Sequence, residues 1–435
     1  MKSSAPLTEK RYVVPFILVT SLFFLWAIGV NINDILVQHL KKAFNLTDFQ
    51  SSAVPMAFFG GYFLAALPAG WLMQRVGYKK GILIGLLTCA SGAFLFIPAA
   101  SIRLYAFFLF SLFLMACGQS FLEVAANPYT TILGPPEGSE RRINFAQSFN
   151  AAGAVTIVAF GSRFILSGVE HTSAERQAMT PGQLAAYQAF ETSMVRTPYM
   201  IIAALFLLTA LVMYFSRLPE VDAPSENGES HTSLELSKVF SRSHLVLGVI
   251  AQFLYVGAQV GVTSFFIRFV EHAWPGTPEK KAADYLLMHL VGFFVGRLTG
   301  SYIMKHVPAP RLLGLFAGCS FLCLAIGIST SGVTPVWMMV LLGFFHSIMF
   351  PTIFALSIKD LGPYTKLGSS LLVMAIIGGA ACPAIMGKIS DTVDIQKAFI
   401  VPLLCHAFIF YFAVRGYRPG VSTGATLKTV SSEAE

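Results

Sequence analysis

The chain is written in long apolar runs separated by short polar breaks. The first run begins at Tyr12, reads YVVPFILVTSLFFLWAIG and closes in VNINDILVQ over 30–38. It is long enough to cross a bilayer. Thr47 and Gln50 then have capping-box spacing. They start a helix expected to run to about Gln74, with kinks at Pro55 and Pro68. The basic stretch GWLMQRVGYKK over 70–80 reads as a short turn. Further helices are expected over 81–99, 104–133, 143–168 and 197–215, with a polar excursion over 170–196. Gly134-Pro135-Pro136 is a strong stop after the fourth. Residues 217–243 are rich in Pro, Ser and Glu and read as a linker. Apolar segments then span 244–270, 282–304, 312–330, 333–359, 367–388 and 398–414.

The pattern predicts an all-α membrane protein with twelve transmembrane helices in two six-helix bundles. The bundles are residues 1–216 and 244–415, joined by the linker 217–243 and followed by a tail over 416–435. An internal repeat supports the two halves. GSYIMKHVPAPR over 300–311 follows the eighth helix as GWLMQRVGYKK follows the second. Six plus six helices is the plan of a two-bundle transporter that binds its substrate near the midplane.

Composition agrees. The 435 residues are 55% hydrophobic and 12% charged, against about 25% charged in soluble domains. The net charge of +8 sits in alternating loops. The side holding Lys79, Lys80, Arg141, Arg142, Arg217, Lys359 and Lys366 carries about twice the Lys and Arg of the other, which places both termini and the linker in the cytoplasm. A bound nucleic acid is not needed to explain that charge. All six cysteines fall in apolar segments and read as packing residues. The first run is too long for a cleaved signal and is read as a retained crossing.

The candidate chemistry starts with Asp34, inside the first crossing. An acid in hydrocarbon costs about 2.5–3.5 kcal/mol on insertion scales, so it faces a bundle interior or a wet cavity. Asn31 lies three residues before it, on the same helix face. Trp26 could stack on a sugar face or simply pack. In the fourth helix Glu123 and Asn127 are four apart, and Pro128 frees a carbonyl of the turn before it. Asp34 reads as lying on the outer half of its helix and Glu123 on the inner half, about 15 Å apart along the membrane normal. Two acids at different depths suit proton loading on one side and release on the other. Asn144, Gln147 and Asn150 step by three along the fifth helix and are expected on one face. Their amides donate and accept, matching sugar hydroxyls. Gln252, Tyr255, Gln259 and Thr263 make a stripe on the seventh helix. On the eighth, Gly292, Gly296 and Gly300 form a small-residue strip beside Arg297, whose expected partner is Asp34 or Glu123. His289, His346 and His406 read as lone, packed histidines. No zinc motif, phosphate loop or nucleophile elbow appears, so neither an enzyme nor a bound cofactor is expected.

GWLMQRVGYKK resembles the loop motif of the major facilitator superfamily through Gly70, Arg75, Gly77, Lys79 and Lys80. Gln74 stands where that motif has an acid, which puts its salt-bridge latch in question. FFLWAIGVNINDIL, LEVAANPYTTILGP, NFAQSFN, YVGAQ, GRLTG, FPTIFALSIKDLG and KLGSSLLVMAIIGG together resemble the fucose–proton symporter family, which includes glucose and galactose carriers. The resemblance implies ion coupling at Asp34 and Glu123. It implies a sugar cavity lined by Asn31, Gln147, Asn150 and Arg297. Where the fucose branch has Trp and Tyr, this chain has Thr263 and Phe350. Loss of the indole enlarges the pocket and adds a hydroxyl, which points to a broader hexose range.

The expected function is therefore proton-coupled import of a hexose or deoxyhexose, with lipid and sugar as partners and a monomer as the working unit. The expected substrate-lining set is Trp26, Asn31, Glu123, Asn127, Gln147, Asn150, Gln259, Thr263, Arg297 and Phe350. Sodium coupling is the first rival, because the same oxygens suit Na⁺. Export of amphipathic compounds and sugar sensing without transport are the others.

Overall fold

The computed structural model describes residues 6–44, 46, 50, 53–160, 179–219 and 239–418. Residues 220–238, most of the expected linker, lie outside it, as do 161–178 and the tail from 419.

Every described element is helical. Val13–Phe44 is α1. α2, Ala53–Ile102, is 50 residues long, which at 1.5 Å per residue is about 75 Å. That is over twice a bilayer's hydrocarbon core. Gly77, at φ 81° and ψ 172°, divides it into two crossings. Only glycine adopts that conformation readily, so the second glycine of GWLMQRVGYKK is the hairpin point. The turn expected over 70–80 is thereby corrected: helix continues on both sides of a single residue. α3 is Tyr105–Ile132 and α4 is Ser139–Phe160, which starts four residues earlier than expected. Within the expected polar excursion lies α5, Pro181–Met194, opened by a Thr180–Gln183 capping box with Pro181 at its first position. α6 is Arg196–Phe215.

The second half contains α7 (Ser243–Ala273), α8 (Glu279–Ile303) and α9 (Ala309–Ser329). The next crossing is broken into α10 (Val333–His346) and α11 (Met349–Ile358). The one after joins α12 (Thr365–Met374) to α13 (Gly378–Thr392) through a 3₁₀ turn. α14 (Ile395–Ala398) and α15 (Ile400–Tyr411) complete the last. Among the described residues ten helices are long and apolar enough to span a membrane. Dividing α2 at Gly77 and adding the more polar α4 accords with twelve crossings.

Leu207, Leu208, Leu211, Tyr214 and Phe215 on α6 are exposed, as a lipid-facing surface requires. In the first half α2 packs on α3 and α6, and α1 on α4. In the second α7 packs on α13 and α15, and α8 on α10. The halves meet where α4 crosses α8 and α11, and where α12 crosses α2 and α3.

Arg142 ties the end of α3 to the start of α4 within the first half. It is wholly buried. Nε donates to the Thr130 carbonyl at 3.2 Å, and Nη1 to Pro135 at 2.8 Å and Leu7 at 3.4 Å. Nη2 donates to Thr131, and to Gly134 at 3.2 Å. The last carbonyls of a helix have no intrahelical donor; here one guanidinium serves those of α3 and the turn after it. We expect Arg142→Met to cost about 3 kcal/mol through unpaired buried carbonyls. A lowered thermal unfolding midpoint in detergent checks this, and an unchanged midpoint contradicts it.

Candidate functional site

On α3, Gln119, Glu123 and Asn127 recur every four residues and share one face. Glu123 is 6% exposed, and both amides are wholly buried. Tyr62 on α2 aims its hydroxyl at Gln119 Oε1, 3.5 Å away. Tyr62, Asn127 and Arg297 are the polar groups that act on the Glu123 carboxyl. Among the described residues Gln119 Nε2 has no hydrogen-bond partner, and Asn127 Nδ2 has none beyond the neighbouring Glu123 carboxyl. Gly29 makes room for the first of these: a methyl there would lie 2.5 Å from Gln119 Nε2.

From Asn127 the network crosses to the other half. Gln147 Nε2 on α4 donates to Asn127 Oδ1 at 3.0 Å. Arg297 Nη1 on α8 donates to the Gln147 carbonyl at 2.6 Å and to its Oε1 at 3.1 Å. Arg297 Nε donates to the Ser347 carbonyl at 2.7 Å. The guanidinium also lies over the Phe293 ring, 4.5 Å from its centroid. A carboxylate partner is expected for Arg297 from the sequence. The structure instead gives it backbone and amide oxygens, with Glu123 in electrostatic reach. The reason is local: Pro351 has no N–H and its ring displaces the carbonyl four residues back, which is that of Ser347.

The expected common face of Asn144, Gln147 and Asn150 is also corrected. Each step of three rotates about 60° around a helix, so the outer two diverge. Asn144 Nδ2 faces the second half and donates to Thr352 Oγ1 at 3.0 Å. Asn150 Nδ2 turns to α1 and donates to the Phe23 carbonyl at 3.3 Å. Asn31 Nδ2 donates to the Ala27 carbonyl of its own helix at 2.8 Å. Trp26 is 2% exposed and tilts against Phe23, with ring centroids 4.4 Å apart. Thr263 Oγ1 is held on α7, donating to the Gln259 and Val260 carbonyls at 3.1 Å each. Gln259 is half-buried. Phe350 is buried beside Tyr255, with centroids 6.4 Å apart. Asp34 lies on α1, but its side chain is outside the described residues.

The structure thus joins Glu123, Asn127, Gln147 and Arg297. It uses Asn150 to tie α4 to α1, and packs Trp26. It adds Gln119, Tyr62, Ser347 and Thr352. The four-residue repeat through Glu123 could have identified Gln119, and Pro351 could have identified Ser347. Nothing in the sequence marks Tyr62 or Thr352.

The histidines are not lone. His289, His346 and His406 come from α8, α10 and α15 and are all buried. His346 stacks on His406, 4.8 Å between centroids, and lies 6.1 Å from His289. His289 and His406 each place Nδ1 on a backbone carbonyl, of Met339 at 2.7 Å and Pro402 at 2.6 Å.

The basic motif also does something other than expected. Lys79 Nζ donates to the Tyr214 and Ser216 carbonyls at 2.9 and 2.8 Å, capping α6. Arg75 stacks over Trp71 at 3.8 Å. Among the described residues the halves are joined by the ion pair Glu140–Lys359, 3.3 Å, on the end of the bundles that carries the described chain ends. On that end too, Ser301 Oγ donates to the Arg141 carbonyl at 3.3 Å, and Lys366 lies over the Tyr78 ring at 5.0 Å.

Two helical halves that meet around a buried acid, amides and a guanidinium define a polytopic membrane protein of the carrier type. The chain belongs to the Major Facilitator Superfamily, whose family model matches residues 17–366, and within it to the family of the L-fucose–proton symporters. It is 42% identical over 409 residues to the L-fucose-proton symporter of Escherichia coli K12, covering 93% of each chain. It is 38% identical over 412 residues to a glucose/galactose transporter of Brucella abortus, covering 94% of this chain and 95% of that one. Among solved structures, a transporter of this superfamily, FucP, crystallised in the outward conformation, matches with a TM-score of 0.85 and 42% identity, over 92% of this chain and 98% of that one.

Proposed function

We propose that the chain is a proton-coupled symporter that imports a hexose or deoxyhexose by alternating access between halves 1–216 and 244–415. The observation that carries this reading is the α3 face: a buried carboxyl flanked at four residues on either side by buried amides, of which Gln119 has no acceptor for its N–H group among the described residues. Buried donors without acceptors are costly. Sugar oxygens supply acceptors, and a neutralised carboxyl next to them supplies the coupling. The L-fucose-proton symporter and the glucose/galactose transporters among its relatives support the same class. The lysine and arginine bias supports a cytoplasmic placement for both termini in a bacterial inner membrane. Asp34 is assigned to the coupling with Glu123.

Reconstituted uptake tests this. A pH gradient, acid on the side from which sugar is taken up, should drive accumulation, while a sodium gradient at fixed pH should not. Sodium-driven accumulation would favour the rival ion, and binding without flux would remove transport altogether.

Specificity is assigned to Thr263 and Phe350. Thr263→Trp is expected to fill the space beside Gln259 and to move preference from a hexose toward its 6-deoxy analogue by about tenfold, the scale of a methyl-sized difference in a pocket. Competition assays with the pair check this. An unchanged ratio contradicts it.

A further inference from the structure

The tenth crossing is interrupted in the middle, with helix ending at His346 and resuming at Met349. Three observations converge there. The two carbonyls that lead into the interruption are taken by side chains from other helices: Tyr255 donates its hydroxyl to His346 at 2.8 Å, and Arg297 donates Nε to Ser347 at 2.7 Å. The interruption is reinforced from within, because Ser347 Oγ donates to the Phe344 carbonyl at 2.6 Å, a back-bond that bends helices. And α8 comes unusually close at this level: a methyl on Gly296 would lie 2.5 Å from both the Phe344 carbonyl oxygen and Ser347 Oγ. Gly296 precedes Arg297, so the close approach delivers the guanidinium to the exposed carbonyl.

The Ser347 carbonyl is therefore one end of a continuous polar path. It runs through Arg297 to Gln147, then Asn127, beside Glu123. We propose that this interruption is where the second half holds the proton relay, and that Tyr255 is a positioning residue that keeps the Ser347 carbonyl available to Arg297. This rests on the symport reading above. Tyr255 is wholly buried, lies beside the guanidinium and, at the break that Pro351 already imposes, sets its shape by holding the His346 carbonyl. If the His346 carbonyl is released the break changes shape, the Ser347 carbonyl shifts away from Arg297, Arg297 loses its hold on the second half, and the charge on Glu123 no longer governs that half's movement. Sugar then still crosses in exchange, but its passage is uncoupled from the proton.

Tyr255→Phe removes only the hydroxyl. In liposomes we expect its pH-driven sugar accumulation to fall about tenfold, the size of one lost buried hydrogen bond. Sugar-for-sugar exchange should stay within about threefold of the original chain. Ser347→Ala, which removes the back-bond from the same interruption, should give the same split and serves where Tyr255→Phe does not fold. Accumulation at the original level in a folded variant overturns the proposal. So does a parallel fall of exchange and accumulation, which marks a packing role alone. An unaltered chain that shows no pH-driven uptake overturns the symport reading itself, and this proposal with it.

Discussion

Glu123→Gln should keep sugar exchange and abolish accumulation against a gradient. Glutamine has the shape of the protonated acid and cannot release a proton. The surrounding groups, Tyr62, Asn127 and Arg297, remain in place to receive it. Exchange needs no net proton movement, so a permanently neutral side chain allows the loaded carrier to swing in both directions. Uphill transport requires the acid to load on one side and unload on the other. With one proton per sugar, each unit of pH gradient sustains about a tenfold sugar gradient. In the variant that ratio should fall to about one. Counterflow and gradient-driven uptake of radiolabelled sugar, measured in the same proteoliposomes, separate the two. Intact pH-driven accumulation in this variant would remove Glu123 from the coupling role and leave Asp34 to carry it.

Much of this site was legible because helical spacing is a local property. Glu123 and Asn127 at four residues, with Pro128 beside them, point to a polar face from the sequence alone, and the structure extends that face to Gln119. Arg297 was equally visible as a charge that needs a partner inside a membrane. Its actual partner is less visible: a guanidinium suggests a carboxylate, yet the carbonyl freed by Pro351 is also a strong acceptor in a dry interior. The helix Pro181–Met194 was hidden by composition, although Thr180, Pro181 and Gln183 spell out its start. The three-residue ladder of Asn144, Gln147 and Asn150 suggests one face, but a drift of about 60° per step turns its two ends apart. The histidine cluster was not legible. Its members stand on three crossings far apart in the chain, and only the packing of α8, α10 and α15 brings them together.

The junction of the halves makes the second large effect predictable. Gln74 replaces the motif's acid, so closure of this end cannot use the motif's own ion pair. The structure closes it by close packing and a few polar contacts elsewhere. Gly70 is the tightest point: a methyl there would collide with Ser370 Oγ and lie 3.0 Å from the Lys366 carbonyl oxygen. Around it stand Glu140–Lys359, Asn144 to Thr352, and Lys366 over Tyr78. A half-exposed ion pair contributes little by itself, so the steric fit should dominate. Gly70→Val places two further carbons against backbone that cannot move away without parting α2 from α12. Overpacking of this kind costs about 1–3 kcal/mol, all of it charged to the closed state, since the open state leaves the site free. At the upper end the ratio of the two states moves about a hundredfold, and transport falls with it. Spin labels on cysteines replacing Glu137 and Lys305, one on each half, should report a longer distance in the variant. Because Ser370 Oγ is the first atom struck, Ser370→Gly should recover part of the activity lost in Gly70→Ala, where only one carbon has to be housed. Transport at the original rate by Gly70→Val, with the label distance unchanged, would mean that the halves do not close against each other at this point during the cycle.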